Sequence, residues 1–396
     1  MRHQQGTFSA FIIRLAIGAT ALSVAVMILS MAFIGGFKYE IREKLFSFWG
    51  EVLIVPFDAS TSDISAGIPV KMDKQLMANV KSMKQVTAVY PFVVRPGIIQ
   101  HASEMEGIRL KGVQAGQKFP QAISFSGAKI GYEDTNYSQD IILSKTTTER
   151  LRVKIGDDIK LYFLNEGTPR IRKLHVAGTY HTGMEEIDKQ FALCDMRLVQ
   201  HLSSWLPDDV SGYQVEIADK MQADSMAAKI YYEYINPPMN AQSITDVYGG
   251  VFSWLSTQDT NGRIILIIVA IVAFINLASS MLILMVDRAV MIGLLKALGM
   301  TPKALWSLFL YIAALIGGLG ILFGNILGLG LAFCQQKFHW IKLPEETYNV
   351  SSVPVRLVWW HVVVLDLCTF CLCLFCALLP LLYIRRIQAA KVLSFE

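Results

Sequence analysis

The densest group of reactive side chains in the sequence is Cys368, Cys371, Cys373 and Cys376, spaced C-x-x-C-x-C-x-x-C. Thiolates at such intervals can hold zinc or an iron–sulfur cluster. Here they stand among Leu, Phe and Val, in a run apolar enough to cross a bilayer. Helical residues two apart face different ways, and no charged neighbour is placed to orient a ligand. Small buried hydrophobes are the better reading of all four. Cys194 stands alone in the hydrophilic part of the chain, so no intramolecular disulfide is expected there. His175 and His181 are too far apart for one helical turn, and no H-E-x-x-H occurs. The nearest approach to a nucleotide-binding G-x-x-x-x-G-K-S/T loop, Gly112 to Lys118, has the wrong spacing and no Ser or Thr after the lysine. No nucleophile elbow and no clearly set pair of carboxylates is found. Energy for any work must then arrive from another chain.

A place to receive it lies in Asp287–Met300. Val290, Leu294 and Ala297 recur at helical spacing from Ala289 to Leu298, with Ile292 and Leu295 on the neighbouring side. Asp287, Arg288 and Lys296 flank this short apolar helix. Gly299 suits the left-handed position that ends it. Thr301 and Pro302 then read as the cap and first residue of a new helix. Such a segment either rests on the membrane surface or docks a soluble partner.

The elements around it follow from composition. Of 396 residues, 53% are hydrophobic and 17% charged, the latter well under the ~25% of soluble domains. The apolar excess falls in Phe8–Phe37, Ile264–Val286, Ala304–Phe333 and Val358–Ile384, each long enough to span. In the first, Arg14 separates an interfacial Phe8–Ile13 from a spanning Leu15–Ile34. It is too long for a cleaved signal peptide and reads as an anchor. Arg2, Arg14, Arg288, Lys296, Lys303, Arg385, Arg386 and Lys391 all fall on one side, which is then cytoplasmic. The net charge of +4 is too small to point to nucleic acid.

The plan is a membrane protein of four transmembrane α-helices with a large α+β extracytoplasmic domain between the first and second. Its segments are a cytoplasmic N-terminus with the first span (1–37), the outer domain with its stalk (38–260), the second span (261–286), the cytoplasmic connecting helix (287–303), the third span (304–334), an outer loop (335–357), the fourth span (358–384) and a cytoplasmic tail (385–396). Lys38–Phe46 alternates charge and recurs in apolar residues, so the first helix should continue outward as a stalk. Within the domain, strands are predicted at Glu51–Phe57, Val86–Val94, Ile108–Val113, Ile159–Phe163, Arg172–Tyr180 and Tyr213–Ile217, and Asp140–Ser144 is read as the entry to a helix. Helices are predicted at Val70–Met83, Thr146–Leu151, Met196–Trp205 and Gln222–Tyr234. Asn165–Pro169 reads as a hairpin tip. Polar Ser256–Gly262 is expected to cap the second span from outside.

Gly320, Gly324 and Gly328 share one face of the third span. Close backbone approach drives helix association in lipid. Both packing inside the four-helix domain and contact with a second membrane subunit stay open. Asn276, Asn325 and Asp366 are polar groups inside apolar runs, where functional roles are common; a structural role is the simpler reading.

The segment Val286–Met300, preceded by Ala273-Phe274-Ile275-Asn276-Leu277-Ala278-Ser279-Ser280, resembles the signature that follows the second span of FtsX/MacB-type ABC transporter permeases. Gly18–Leu45, the stretch Val176–Asp188 with Gly178, Gly183, Met184, Glu186 and Asp188, and the ending Gln388–Glu396 are most similar to lipoprotein-releasing permeases of the LolC/LolE type. The likeness covers nearly the whole chain. It implies a MacB-like periplasmic core domain and an inner-membrane location. It also implies a coupling helix in which Asp287, Arg288, Ile292, Leu294, Leu295, Lys296, Leu298 and Gly299 meet a cytoplasmic, LolD-like ATPase dimer. ATP and magnesium would then bind that partner, with no cofactor, metal or catalytic residue on this chain. A second permease subunit, membrane lipids, lipoprotein substrates and a periplasmic carrier are the other implied partners. The hairpin Leu164–Ile171 is shorter than the one that hooks the carrier in LolC-type subunits, and an acidic residue expected near Arg263 is missing. A MacB-like efflux or mechanotransmission permease, and an FtsX-like regulator of a cell-wall hydrolase, are the alternatives within the resemblance.

Overall fold

The computed structural model describes residues 2–57, 68–120, 122–132, 136–165, 168–344, 348 and 350–376. The expected cytoplasmic tail, with Arg385, Arg386 and Lys391, and the hairpin residues Glu166 and Gly167 lie outside these. The elements run α1 (Arg2–Trp49), β1 (Val52–Pro56), β2 (Val70–Lys71), α2 (Lys74–Lys81), β3 (Val86–His101), β4 (Glu104–Val113), β5 (Ser124–Gly127) and β6 (Asp140–Ser144). They continue as α3 (Lys145–Leu151), β7 (Asp158–Asn165), β8 (Thr168–His181), α4 (Glu185–Asp188), β9 (Phe191–Asp195), α5 (Met196–Leu202), β10 (Asp209–Val210) and β11 (Gly212–Ile217). The last are α6 (Ala223–Tyr234), β12 (Met239–Ser243), α7 (Ile244–Val247), α8 (Gly249–Asp287), α9 (Ala289–Ala297), α10 (Pro302–Phe338) and α11 (Trp359–Cys376). Two compact units divide the chain. One holds Met1–Tyr39, Leu255–Lys342 and Ser352–Glu396; the other holds Glu40–Trp254 and Leu343–Ser351.

In the first unit, α1, α8, α10 and α11 are each long and apolar enough to cross a membrane. Their shared core includes Ala16, Leu277, Met281, Ala313, Ile316, Cys373 and Cys376. A second cluster joins Val24, Met27 and Ile28 to Val362 and Leu365. The glycine stripe on α10 meets α1. A β-carbon at Gly320 would stand 2.7 Å from Thr20 Cβ, and one at Gly324 2.6 Å from Val24 Cβ. At Gly328 it would stand 3.0 Å from Ala25 Cα. Three absent methyls thus let two helices approach where apolar burial offers no net drive.

One expectation needs correction here. Ser256–Gly262 does not begin a helix; it lies inside α8, which starts at Gly249. A polar run needs no cap where the helix simply continues, and Asp259 instead pairs with Lys38 at 2.5 Å. The helix α1 itself runs from Arg2 to Trp49. The cysteines also split: Cys373 and Cys376 are buried, while Cys368 and Cys371 are exposed on the surface of the unit. Asn325 donates to one carboxylate oxygen of Asp366 at 2.9 Å, while the other oxygen is buried with no partner among the described residues.

The second unit is α+β. Its ten-stranded sheet follows the order β12-β1-β11-β3-β4-β9-β6-β8-β5, and β7 joins β3 to β8. That last strand closes a ring through β3, β4, β9, β6, β8 and β7. The 16-residue β3 makes this possible: its first half pairs with β11, its second half with β4 and β7. The region predicted as one helix, Val70–Met83, is the short strand β2 followed by α2. Asp73 separates them, accepting from the N–H groups of Gln75 and Leu76 as an N-cap.

Candidate coupling and stalk sites

The first site is α9. It opens after Arg288, whose Nε lies 3.7 Å from a carboxylate oxygen of Asp287. Its end is a full Schellman arrangement. Gly299 takes φ +92, its N–H reaches the Lys296 carbonyl at 3.1 Å, and the Met300 N–H reaches that of Leu295 at 3.0 Å. One residue later, Thr301 caps α10 through the Ala304 N–H and Pro302 occupies its first turn. Two helices are thereby joined by a tight, defined corner.

The corner fixes which face of α9 looks outward. Ile292 is buried with Met285, Leu305 and Phe309, and Met300 packs against them. Ile292 therefore supports the helix from beneath and offers nothing to a docking partner, contrary to its expected role. Gly293 is buried too. The outward face is apolar: Val290 is 68% exposed, Leu294 52% and Leu298 76%. Met291 and Ala297 join them, and Leu295 is half-buried.

The second site is the outer end of α1, within the second unit. The helix stops because Gly50 adopts φ +76 and returns its N–H to the Phe46 carbonyl at 2.8 Å. Phe48 and Trp49 are wholly buried. They pack in an aromatic group with Phe92, Tyr180 and Phe191, and the Trp49 indole donates to the Tyr248 hydroxyl at 2.7 Å. Burying each such ring is worth about 1.5–3 kcal/mol. Lys111 of β4 reaches across the helix end. Its ammonium donates to the Phe48 carbonyl at 2.5 Å and lies 4.3 Å and 4.2 Å from the ring centres of Phe48 and Trp49. A lysine at a helix C-terminus meets both orphan carbonyls and the negative end of the dipole. Complete burial pulls its pKa down to about 7, against an opposing pull from Glu216. Just beyond, burial raises Glu51 to about 7, although the Ile217 N–H that it accepts and Lys220 act to lower it.

The Gly178–Asp188 stretch lies beside this joint. The Asp188 carboxylate is buried and accepts from the Thr182 hydroxyl at 2.7 Å and from the N–H groups of Thr182 and Gly183. His181 Nδ1 stands 2.9 Å from its other oxygen. This closes the turn Thr182-Gly183-Met184, in which Gly183 has φ +66. Lys44 of α1 donates to the Gly183 carbonyl at 3.2 Å. Met184 is wholly buried, while Glu186 is exposed. Gly178 serves a separate contact. A β-carbon there would come within 2.6 Å of the Ala128 carbonyl oxygen and 2.8 Å of that of Ser126. Lys44, Phe48, Trp49 and Lys111 were not singled out from sequence. Lys111 alternates with Arg109 between apolar residues, as on a half-exposed strand, so its burial carried no signal. Among the described residues, no group of three or more His, Cys, Asp or Glu side chains is placed to hold a metal ion.

Four membrane helices, a large domain after the first and a cornered helix after the second define a transporter permease of two parts. Family models match both: a MacB-like periplasmic core domain over residues 15–231 and an FtsX-like permease C-terminal region over residues 263–389. The chain belongs to the MacB/FtsX-type family of ABC transporter permeases. It is a multi-pass inner-membrane protein with its large domain in the periplasm. It is 25% identical over 405 residues to the lipoprotein-releasing system transmembrane protein LolC of Xylella fastidiosa, covering 98% of this chain and 95% of that protein. It is 23% identical over 413 residues to LolE of Haemophilus influenzae, covering 99% and 96%. Among solved structures, the periplasmic region of MacB from Actinobacillus actinomycetemcomitans matches 50% of this chain and 91% of its own at 10% identity, with a TM-score of 0.34.

Proposed function

We propose that this chain is the permease subunit of an ABC transporter that releases lipoproteins from the inner membrane. The observation that carries the proposal is the end-to-end likeness to LolC and LolE, through membrane and periplasmic parts alike. The outward apolar face of α9 supports the energetic half: Val290, Leu294 and Leu298 suit a groove on a cytoplasmic ATPase dimer, LolD-like in kind, which would bind the ATP and magnesium. A second permease subunit completes such a transporter. Work done at α9 would pass along the spans and the unbroken α1 to the joint around Phe48, Trp49 and Lys111. This chain performs no reaction of its own in that scheme. A periplasmic carrier would take the released lipoprotein, with the short hairpin between β7 and β8 leaving its docking subunit undecided.

Depletion of the protein from its host tests the reading. Lipoproteins destined for the outer membrane should accumulate in the inner membrane. Normal sorting, with an outer-membrane channel or a cell-wall hydrolase co-purifying instead, would favour the efflux or regulatory alternative.

A further inference from the structure

A cavity of about 540 Å³ opens in the second unit, where Phe125 in its wall packs against Tyr180 of the aromatic group around Phe48. Its walls include Phe119, Phe125, Ile130, Tyr132 and Ile142, and Lys118 and Lys129 also line it; among the described residues no carboxylate does. Gln117 supplies its unusual feature. Both the oxygen and the nitrogen of that side-chain amide are shut from solvent, and neither has a hydrogen-bond partner among the described residues. An orphaned polar group of this kind costs about 1–3 kcal/mol. A free donor beside a free acceptor is matched by a peptide bond, which carries one of each.

The adjoining backbone points the same way. Phe125 belongs to β5, the last strand of the sheet, which pairs with β8 on one side. The Ala128 N–H reaches the Ala177 carbonyl at 2.9 Å. Alternation along an antiparallel strand then turns the N–H groups of Phe125 and Gly127 toward the other edge. All four β5 residues are exposed. Gly178 and Gly127 hold this edge in place. A β-carbon on Gly127 would come 2.8 Å from the Ala177 carbonyl oxygen, as tight as the approach at Gly178.

We propose that the β5 edge and the Gln117 cavity form a docking site for an extended, acidic polypeptide segment. The segment adds to the sheet as a strand, its backbone meets the Gln117 amide, an apolar side chain enters between Phe119 and Phe125, and acidic flanks face Lys118 and Lys129. Main-chain pairing gives such sites their affinity and the side-chain pocket their selectivity. The site does not depend on which cargo the transporter carries.

The test uses the full chain in phosphatidylcholine nanodiscs and a fluorescein-labelled octapeptide that alternates Glu with Leu, read by anisotropy. Saturable, salt-sensitive binding is expected. Methylating alternate backbone amides of the peptide, or the substitution Gln117→Leu, should weaken it about tenfold, the equivalent of ~1.4 kcal/mol. Lys129→Glu should weaken it further at low salt than at high salt. The thermal midpoint of each variant, matched to the parent, shows that it is folded; a variant that fails this leaves the methylated peptide to decide alone. Equal binding of the methylated peptide, or no saturation, overturns the proposal. Displacement of the peptide by laurate at equal or lower concentration would also overturn it, by making the cavity an acyl-chain site.

Discussion

The ammonium of Lys44 donates to the Gly183 carbonyl at 3.2 Å, tying the last turns of the first helix to the turn between β8 and α4. That turn keeps its shape through Asp188, whose buried carboxylate gathers Thr182, Gly183 and His181. Helix and turn are 139 residues apart in sequence, so the contact holds the joint only while the turn stays closed.

Asp188→Ala would leave the N–H groups of Thr182 and Gly183 buried without an acceptor. At about 1–3 kcal/mol for each orphaned group, a loss of about 3 kcal/mol is expected. The thermal midpoint of the periplasmic unit should fall by roughly 6–12 °C, from ~2–4 °C per kcal/mol at this size. Asp188→Asn keeps one acceptor and should lose less. Differential scanning fluorimetry of the purified chain decides it; an alanine variant that melts with the parent would show that the carboxylate contributes nothing.

The two buried groups at the joint give opposite pH slopes. Glu51 is raised to about 7 from 4.5. Its protonated form is favoured in the fold, so its stabilisation is complete below pH 4.5 and lost as pH rises through 7. Lys111 is lowered to about 7 from 10.5. The cost of burying its charge is present below 7 and relieved as pH climbs toward 10.5. Each slope approaches ~1.4 kcal/mol per pH unit for one proton. Stability should therefore dip near neutrality. Glu51→Gln should flatten the acid limb and Lys111→Met the alkaline limb, in thermal midpoints measured from pH 5 to 9. Unchanged limbs in both variants would mean that neither group titrates between the folded and unfolded states as described.

What could be read from residues alone divides along physical lines. Spans, stalk and the Gly299 corner were legible because each rests on local rules: apolar length, charge alternation, a glycine that tolerates positive φ. The strands β9 and β12 were not. The first is five buried residues without alternation, and the second, Met239–Ser243, is largely polar and pairs at the sheet's edge. Polar Ser256–Gly262 looked like a boundary, but a helix can cross such a run when its hydrogen bonds continue. Ile292 is buried and Leu294, two residues on, is exposed. Periodicity defines the faces of α9, and only the fold of Met285, Leu305 and Phe309 decides which one is covered. Lys111 was hidden for the same reason, since the aromatic rings that receive it come from a helix end far away in sequence.

The third helix offers a paired test. A side chain at Gly324 would meet Val24 Cβ at 2.6 Å and the Ala21 carbonyl oxygen at 2.8 Å, neither of which can swing aside. At Gly318, on another face, a β-carbon meets nothing within 4 Å. Gly324→Ala should cost about 1–3 kcal/mol through overpacking and lower the yield of folded protein in detergent. Gly318→Ala should behave as the parent. If both are tolerated, the approach of α10 to α1 is looser than described. If Gly324→Ala folds normally but no longer pairs with a second permease subunit, the stripe serves assembly rather than the packing of this unit.

The exposed face of α9 makes the sharpest prediction because neighbouring leucines and isoleucine should fail differently. Leu294→Asp places a carboxylate on a side chain already half exposed, so the fold should survive. If α9 seats in an ATPase groove, a charge desolvated there should cost several kcal/mol, enough to abolish co-purification of the ATPase. Leu298→Asp should act likewise. Ile292→Asp buries a charge among Met285, Leu305 and Phe309 and should lose the protein itself before any partner is tested. Leu295, between the two environments, should show part of each effect. Affinity purification of the tagged chain with its ATPase, alongside thermal midpoints, separates these outcomes. Full ATPase recovery with Leu294→Asp and Leu298→Asp together would remove α9 from the path by which energy reaches this chain.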